Sequence, residues 1–290
     1  MQDPIAGKIV LMTGATDGLG RAAALELARR GARLHLLARD PAKGAALLTA
    51  IQAVNPAAEP TLISADLARL ADVRAAVDRF RAGHDRLDLL INNAGAVFTE
   101  RRLSADGFEM TFAVNHLAHF LLSTLVLDLL QATPGARVVS TASAAYDSAT
   151  LDLDRIATAE GEYRTFSAYS SSKLCNVLFT AEFQRRAGEG VAVSCFHPGF
   201  VATNIGANNR GWLARIWTTV GSVIARSPER GADTLLWLAS SPEAAHPDGG
   251  YFVDRARRAL EPYAADPQRA AELWALSERL CGGTSAASAN

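Results

Sequence analysis

Lysine is scarce in this chain: of 29 basic residues, only Lys8, Lys43 and Lys173 are lysine. Cysteine is scarce as well. Cys175, Cys195 and Cys281 form an odd, widely spaced set without a C-x-x-C pair, which argues against a disulfide framework and a structural zinc site and leaves buried free thiols. No cluster of His, Cys and acidic residues has metal-ligand spacing, so no metal is expected. Neither sign of charge dominates. The net charge is -1 with both signs interspersed, which offers no footprint for nucleic acid or an acidic membrane and points to a small-molecule partner. No apolar run reaches the length of a membrane span. The first residues, MQDPIAGKIVLMTG, also lack the basic start, apolar stretch and small-residue cleavage site of a secretory leader. A soluble, cytoplasmic protein is the expectation. No linker-like break or internal repeat interrupts the 290 residues, so one α/β domain is expected over residues 1–281, with the small polar tail 282–290 disordered.

What is present is a regular alternation. Short runs rich in Val, Ile and Leu fall at 8–13, 33–38, 60–65, 87–92, 136–141 and 191–196, and a further short strand is expected at 250–253. Near-continuous apolar strands belong to a sheet covered on both faces, and helices between them supply parallel crossovers. Those helices are expected near 18–30, 41–54, 69–82, 104–131, 167–188 and 228–240. The pattern is a doubly wound α/β fold around a seven-stranded parallel sheet.

The first strand runs into TGATDGLG (13–20), and a helix follows. In that setting Gly14, Gly18 and Gly20 let the backbone approach a pyrophosphate, and the helix N-terminus offers unpaired N–H groups. At the end of the second strand, where an acid would hold unphosphorylated ribose, stand Ala38 and Arg39. A cation there suits a 2'-phosphate, so NADP(H) is favoured and NAD(H) stays open, with a solvated helix start the other reading of Arg39. Asp17 and Asp40 lie nearby. Asp66, past the third strand, suits either an adenine amino group or a helix cap.

The scarcity of lysine makes one occurrence informative. Tyr169 and Lys173 enclose three serines in YSSSK, and an i,i+4 spacing puts both on one helix face. Five tyrosines and three lysines scattered at random would give about 0.05 such pairs. A compact ammonium beside a phenol lowers the phenol's pKa from about 10, which planar, permanently charged arginine does less well. The pair is a candidate acid/base, and a surface pair without chemistry is the alternative.

Taken in order, TGATDGLG, NNAG (92–95), Asn115 in TFAVNHLAHF, Ser143 in VVSTASAAY, YSSSK and HPGFVAT (197–203) resemble the short-chain dehydrogenase/reductase family over nearly the whole chain. SPERGADTLLWLASSPE (227–243), GGYFVD (249–254) and AAELWALSERL (270–280) resemble its retinol dehydrogenase-like branch. The resemblance implies a Rossmann fold. It also implies catalytic roles: Tyr169 as acid or base, Lys173 favouring the phenolate and holding the nicotinamide ribose, Ser143 orienting the carbonyl, and the Asn115 backbone carbonyl binding a relay water within a distorted helix. Ser143 competes with Ser140 and Thr141, and the side chain of Asn115 has a duller use in bonding a neighbouring strand. Cofactor contacts are implied at Gly14, Thr16, Asp17, Gly18, Leu19, Gly20, Arg39, Asp66, Leu67, Asn93, Ala94, Gly95, Tyr169, Lys173, Pro198, Gly199, Val201 and Thr203. His197 reads as a core histidine.

Between Thr203 and Ser227, the residues Trp212, Ile216, Val220 and Val223 recur at helical spacing, and Arg215 and Arg226 lie in the same segment. A helix at 204–227 would be a lid on an apolar substrate, with Asn208, Asn209 and Gly211 as hinges; an oligomer contact, such as a homodimer's, or ordinary packing would read the same. Phe98, Tyr146 and Trp217 are pocket candidates. The expected function is NADP(H)-dependent interconversion of a lipophilic ketone or aldehyde and its alcohol. Reduction of a conjugated C=C bond and a non-catalytic NADP(H)-sensing role are the alternatives.

Overall fold

Seven parallel strands and one antiparallel strand form the sheet of this computed structural model, which describes residues 3–200 and 226–282. In chain order the strands are β1 (Ile9–Thr13), β2 (Arg33–Ala38), β3 (Thr61–Ser64), β4 (Leu89–Asn92), β5 (Ala136–Thr141), β6 (Val191–His197), β7 (Gly250–Val253) and β8 (Ala256–Arg258). In space they run β3-β2-β1-β4-β5-β6-β7-β8. The order reverses between β1 and β4, and in such sheets a crevice opens outside the strand ends at that point.

Side chains alternate across the sheet, so each strand feeds two cores. Ile9 and Leu11 of β1 join one cluster, with α3 (Leu70–Arg81), α5 (Ala118–Leu125), α7 (Thr165–Ala187) and α9 (Pro267–Leu280). Val10 and Met12 join the other, with α1 (Gly18–Arg29), α2 (Pro41–Val54) and α8 (Pro228–Ser240). The helix starts are written locally. Asp40, Ser227 and Asp266 each cap a helix whose first turn carries a proline, at α2, α8 and α9.

The structure departs from the sequence expectation in three places. The expected helix at 104–131 begins only at α4 (Met110–Phe112), winds as a π turn over Ala113–Leu117, continues as α5, and breaks at Val126 before α6 (Leu127–Gln131). Glu109, buried, caps α4 by accepting from the N–H groups of Thr111 and Phe112 at 2.9 and 2.8 Å. The eighth strand is an addition. It folds back from β7 through Asp254 and Arg255, two non-glycine residues with φ of 51° and 61°. That left-handed pair is held by ion pairs from Asp254 to Arg226 and from Arg255 to Asp233. The third departure is α9, whose Leu273 and Trp274 close the core over α7. The lid segment lies outside the described residues over 201–225, as does the tail beyond residue 282. The flanking residues meet, however: Arg226 N–H donates to the Phe200 carbonyl at 2.7 Å.

Candidate active site

At the switch point the ends of β1 and β4 are fastened together. Thr13 Oγ1 accepts from the N–H groups of Asn93 and Ala94 at 3.0 and 3.1 Å, and Asn93 Nδ2 donates to the Gly14 carbonyl at 2.9 Å. Gly14 has φ +68°, and a Cβ there would lie 2.7 Å from the backbone of Ala94. A Cβ at Gly20 would lie 2.0 Å from the Gly14 carbonyl oxygen. Only glycine allows this tight loop, which brings the first turn of α1 against the strand ends.

The loop fits a dinucleotide. Leu19 is buried in the core, while Thr16 is half-buried and Asp17 exposed at the start of α1. Asp17 accepts from Gly18 N–H at 2.7 Å, while by helix geometry the N–H groups of Leu19 and Gly20 have no carbonyl partner within α1. Arg39 is exposed just past β2, and its neighbour Asp40 is engaged in capping α2. Asp66 is no helix cap: its carboxylate accepts from Ala68 N–H in a tight turn before α3, beside the half-buried Leu67. Pro198 and Gly199 follow β6, and Gly199 (φ +79°) leaves room for the Arg226 side chain, which a Cβ would meet at 2.7 Å. Val201 and Thr203 lie outside the described residues.

The candidate catalytic residues converge at the ends of β4 and β5. Lys173, buried along α7, donates from Nζ to the carbonyl of Thr141, the last residue of β5, at 3.0 Å. The ammonium lies 5.7 Å from the centre of the Tyr169 ring. Burial pulls the Lys173 pKa down to about 8. Burial pushes Tyr169 up, and a hydrogen bond with the Ser143 side chain pulls it back in part. Of the three hydroxyls in this stretch, Ser143 is the one beside Tyr169. Thr141 donates to Asn93 Oδ1 at 3.0 Å, and the buried Ser140 Oγ has no partner among the described residues.

Asn115 lies in the π turn. Its side-chain amide pairs with both backbone groups of Ala96, accepting from N–H at 2.8 Å and donating to the carbonyl at 3.0 Å, and also donates to Ser172 Oγ. Ser172 in turn donates to the Tyr169 carbonyl at 2.7 Å. The side chain thus locks the π turn to the NNAG segment and to α7, and the backbone carbonyl is left to other partners. Gly95 lies between: a Cβ there would sit 3.5 Å from Lys173 Nζ and 3.7 Å from Asn115 Oδ1.

The sequence model of the family described as short chain dehydrogenase matches residues 8–214. The chain belongs to the short-chain dehydrogenase family. It is similar to a Streptomyces sp. (strain C5) protein with a provisional assignment as a daunorubicin C-13 ketoreductase, at 39% identity over 279 residues, covering 96% of this chain and 94% of the relative. It is similar to human retinol dehydrogenase 13 at 39% identity over 284 residues, covering 96% and 86%. A short chain dehydrogenase from Burkholderia cenocepacia J2315, solved in complex with NADP, matches with a TM-score of 0.67 and 27% identity, covering 86% of this chain and 97% of that one.

Two pocket candidates of this short-chain dehydrogenase, Tyr146 and Phe98, are packed against neighbouring side chains. Tyr146 is buried edge-on against Tyr251, with ring centres 5.2 Å apart, and Phe98 is buried beneath Arg102. Trp217 lies outside the described residues. His197 is half-buried, with Nδ1 lacking a partner among the described residues. All three cysteines are buried free thiols, and burial pushes their pKa values up, to about 12 for Cys195 and Cys281. No helix among the described residues is long and apolar enough to cross a membrane. Sequence reasoning missed Thr13, Ser172 and His119, which join the site's parts. The signal for His119 was two histidines, at 116 and 119, inside an otherwise apolar helix next to Asn115.

Proposed function

We propose that this short-chain dehydrogenase is an NADP(H)-dependent oxidoreductase that interconverts a lipophilic ketone or aldehyde with its alcohol. The observation that carries the reading is the Ser143–Tyr169 hydrogen bond beside the buried ammonium of Lys173. When bound, the nicotinamide cofactor supplies the hydride. Gly14, Gly18 and Gly20 with the first turn of α1 would hold its pyrophosphate, Arg39 its 2'-phosphate and Asp66 its adenine, and Asn93 to Gly95 would flank its ribose.

The Ser143 hydroxyl donates to the substrate oxygen and fixes its direction, and the Tyr169 hydroxyl delivers the proton as negative charge grows there. A phenol held above its ordinary pKa by burial is protonated at neutral pH, the state that carbonyl reduction needs. Lys173 limits the energy of the phenolate left behind, and the Asn115 carbonyl belongs to the path by which the proton is replaced. The relatives support the substrate class, one being named for a ketone of daunorubicin and the other for retinol. The NADP complex of the Burkholderia structure supports the cofactor. The cytoplasm, where NADPH favours reduction, is the compartment that goes with this reading.

Fluorescence titration with NADPH and NADH, followed by addition of lipophilic aldehydes, ketones and enones, tests it. Tight NADPH binding with oxidation dependent on simple carbonyls is the expected result. Turnover of enones alone would assign C=C reduction instead, and binding without turnover across the panel would favour a sensing role.

A further inference from the structure

His119 has no part in the chemistry proposed above, yet it is buried between the two halves of the site at 3% exposure. It lies one turn beyond Asn115 in α5. Nδ1 is 3.2 Å from the Asn115 carbonyl oxygen, and Nε2 is 3.0 Å from Thr13 Oγ1. A carbonyl only accepts, so Nδ1 carries the proton, and the neutral ring then presents a bare Nε2.

Thr13 demands the same tautomer from the other end. Its oxygen already accepts from Asn93 N–H and Ala94 N–H, which fills both lone pairs. Its single proton must therefore be donated. The Ile91 carbonyl at 3.4 Å is a long acceptor, and His119 Nε2 at 3.0 Å is the better one. The imidazole is kept neutral by burial and by the charge of Lys173, which together bring its pKa down to about 4. The donor pattern is thus constant over the pH range in which the site would work.

The network continues on both sides. From Thr13 it passes through Asn93, whose Oδ1 accepts from Thr141 Oγ1, to the residue whose carbonyl holds Lys173. From Asn115 it passes through Ser172 to the Tyr169 backbone.

We infer that His119 is a positioning residue, a strut of fixed tautomer that ties the Asn115 carbonyl to the end of β1 and so sets the nucleotide loop and the Tyr169/Lys173 pair in register. The inference rests on the reading of the site as a nicotinamide-dependent reductase. Its two bonds separate by substitution. Asn at 119 keeps a donor at the Nδ1 position, Gln keeps a polar group at the Nε2 position, and Leu removes both while filling the space.

The experiment measures NADPH affinity by titration, kcat and KM with a carbonyl found active, and the pH–rate profile between about pH 6 and 9 in wild type and all three variants. His119→Leu is expected to lower kcat by about tenfold or more, weaken NADPH by about fivefold and displace the apparent pKa of kcat by about half a unit. His119→Asn recovers most of the kcat and pH profile, and His119→Gln recovers most of the NADPH affinity. If the Leu variant does not fold, the split between Asn and Gln carries the test. Variants that melt earlier but keep wild-type kcat, NADPH affinity and pH profile once folded would make His119 ordinary core and overturn the strut. Wild-type protein that binds NADPH but turns over no carbonyl overturns the reductase reading instead. The strut is then judged on titration alone, and equal NADPH affinity in wild type and His119→Leu sinks it.

Discussion

Lys173 Nζ lies 3.0 Å from the carbonyl oxygen of Thr141, a buried bond from the middle of α7 to the last residue of β5. The fold thus holds an ammonium group out of water, with a pKa brought down to about 8 from 10.5. The sign of the linkage follows. Below pH 8 both folded and unfolded chains hold the proton, and the native state carries the full burial penalty. Between about pH 8 and 10.5 the unfolded chain binds more proton, so stability rises with pH. Lys173→Met should therefore be more stable than wild type at neutral pH, by at most roughly 3 kcal/mol less the lost hydrogen bond. Its advantage should shrink toward about pH 10. Urea midpoints at the two pH values decide, and an unchanged rise in the variant would place the pH dependence elsewhere.

Tyr169→Phe keeps the ring beside Lys173 and removes only the hydroxyl shared with Ser143. NADPH affinity should change by less than about twofold while kcat falls by roughly two orders of magnitude or more. Titration and steady-state rates on one preparation check both halves, and a Phe variant with near-normal kcat would falsify the acid assignment.

Three hydroxyls follow one another in VVSTAS, and the sequence alone does not choose among them. The structure separates their surroundings. Ser143→Ala should lower kcat/KM by roughly ten- to a hundredfold, through loss of one donor to the substrate oxygen. Ser140→Ala removes a buried hydroxyl without a partner among the described residues and should leave activity intact and melting temperature equal or higher. Reversed effects on the two serines would reassign the orienting hydroxyl.

The strands and the glycine loop were legible because their signals are local: near-continuous apolar runs, and glycines placed between a strand and a helix. The strand β8 was not, since Ala256, Arg257 and Arg258 are exposed and carry no apolar pattern; pairing with β7 alone makes them a strand. The π turn has no composition of its own. A helical period runs through residues 110 to 125, and the extra residue per turn shows only in the backbone. His119 was passed over for a related reason. A histidine on an apolar helix reads as core, and its contact to Thr13 spans 106 positions. Tyr146 misled because closeness in sequence to Ser143 does not fix direction: the 3-10 helix Ala144–Ser148 turns its ring into the core.

Glycine at position 20 is a steric requirement that a methyl group tests directly. In Gly20→Ala the Cβ would lie 2.0 Å from the Gly14 carbonyl oxygen and 2.4 Å from Asn93 Nδ2, so the loop must move. The expected destabilisation is about 1–3 kcal/mol, with a marked loss of NADPH affinity. Gly83→Ala, where a Cβ meets nothing within 4 Å, is the control and should leave both unchanged. Thermal melting with and without NADPH reads the two effects.

The proposed preference for NADP(H) over NAD(H) turns on Arg39. It is exposed just past the end of β2, and the one acid beside it in sequence, Asp40, is engaged with the N–H groups of Ala42 and Lys43. A guanidinium there pairs with a 2'-phosphate, while an unphosphorylated ribose gives it no charge to meet. Arg39→Ala should weaken NADPH by about tenfold or more, near 1.4 kcal/mol, and change NADH by less than about twofold. Raising the salt concentration should narrow the gap in wild type, since an exposed charge pair is screened. Equal losses for the two cofactors would remove Arg39 from the phosphate site and leave it as the solvated start of α2.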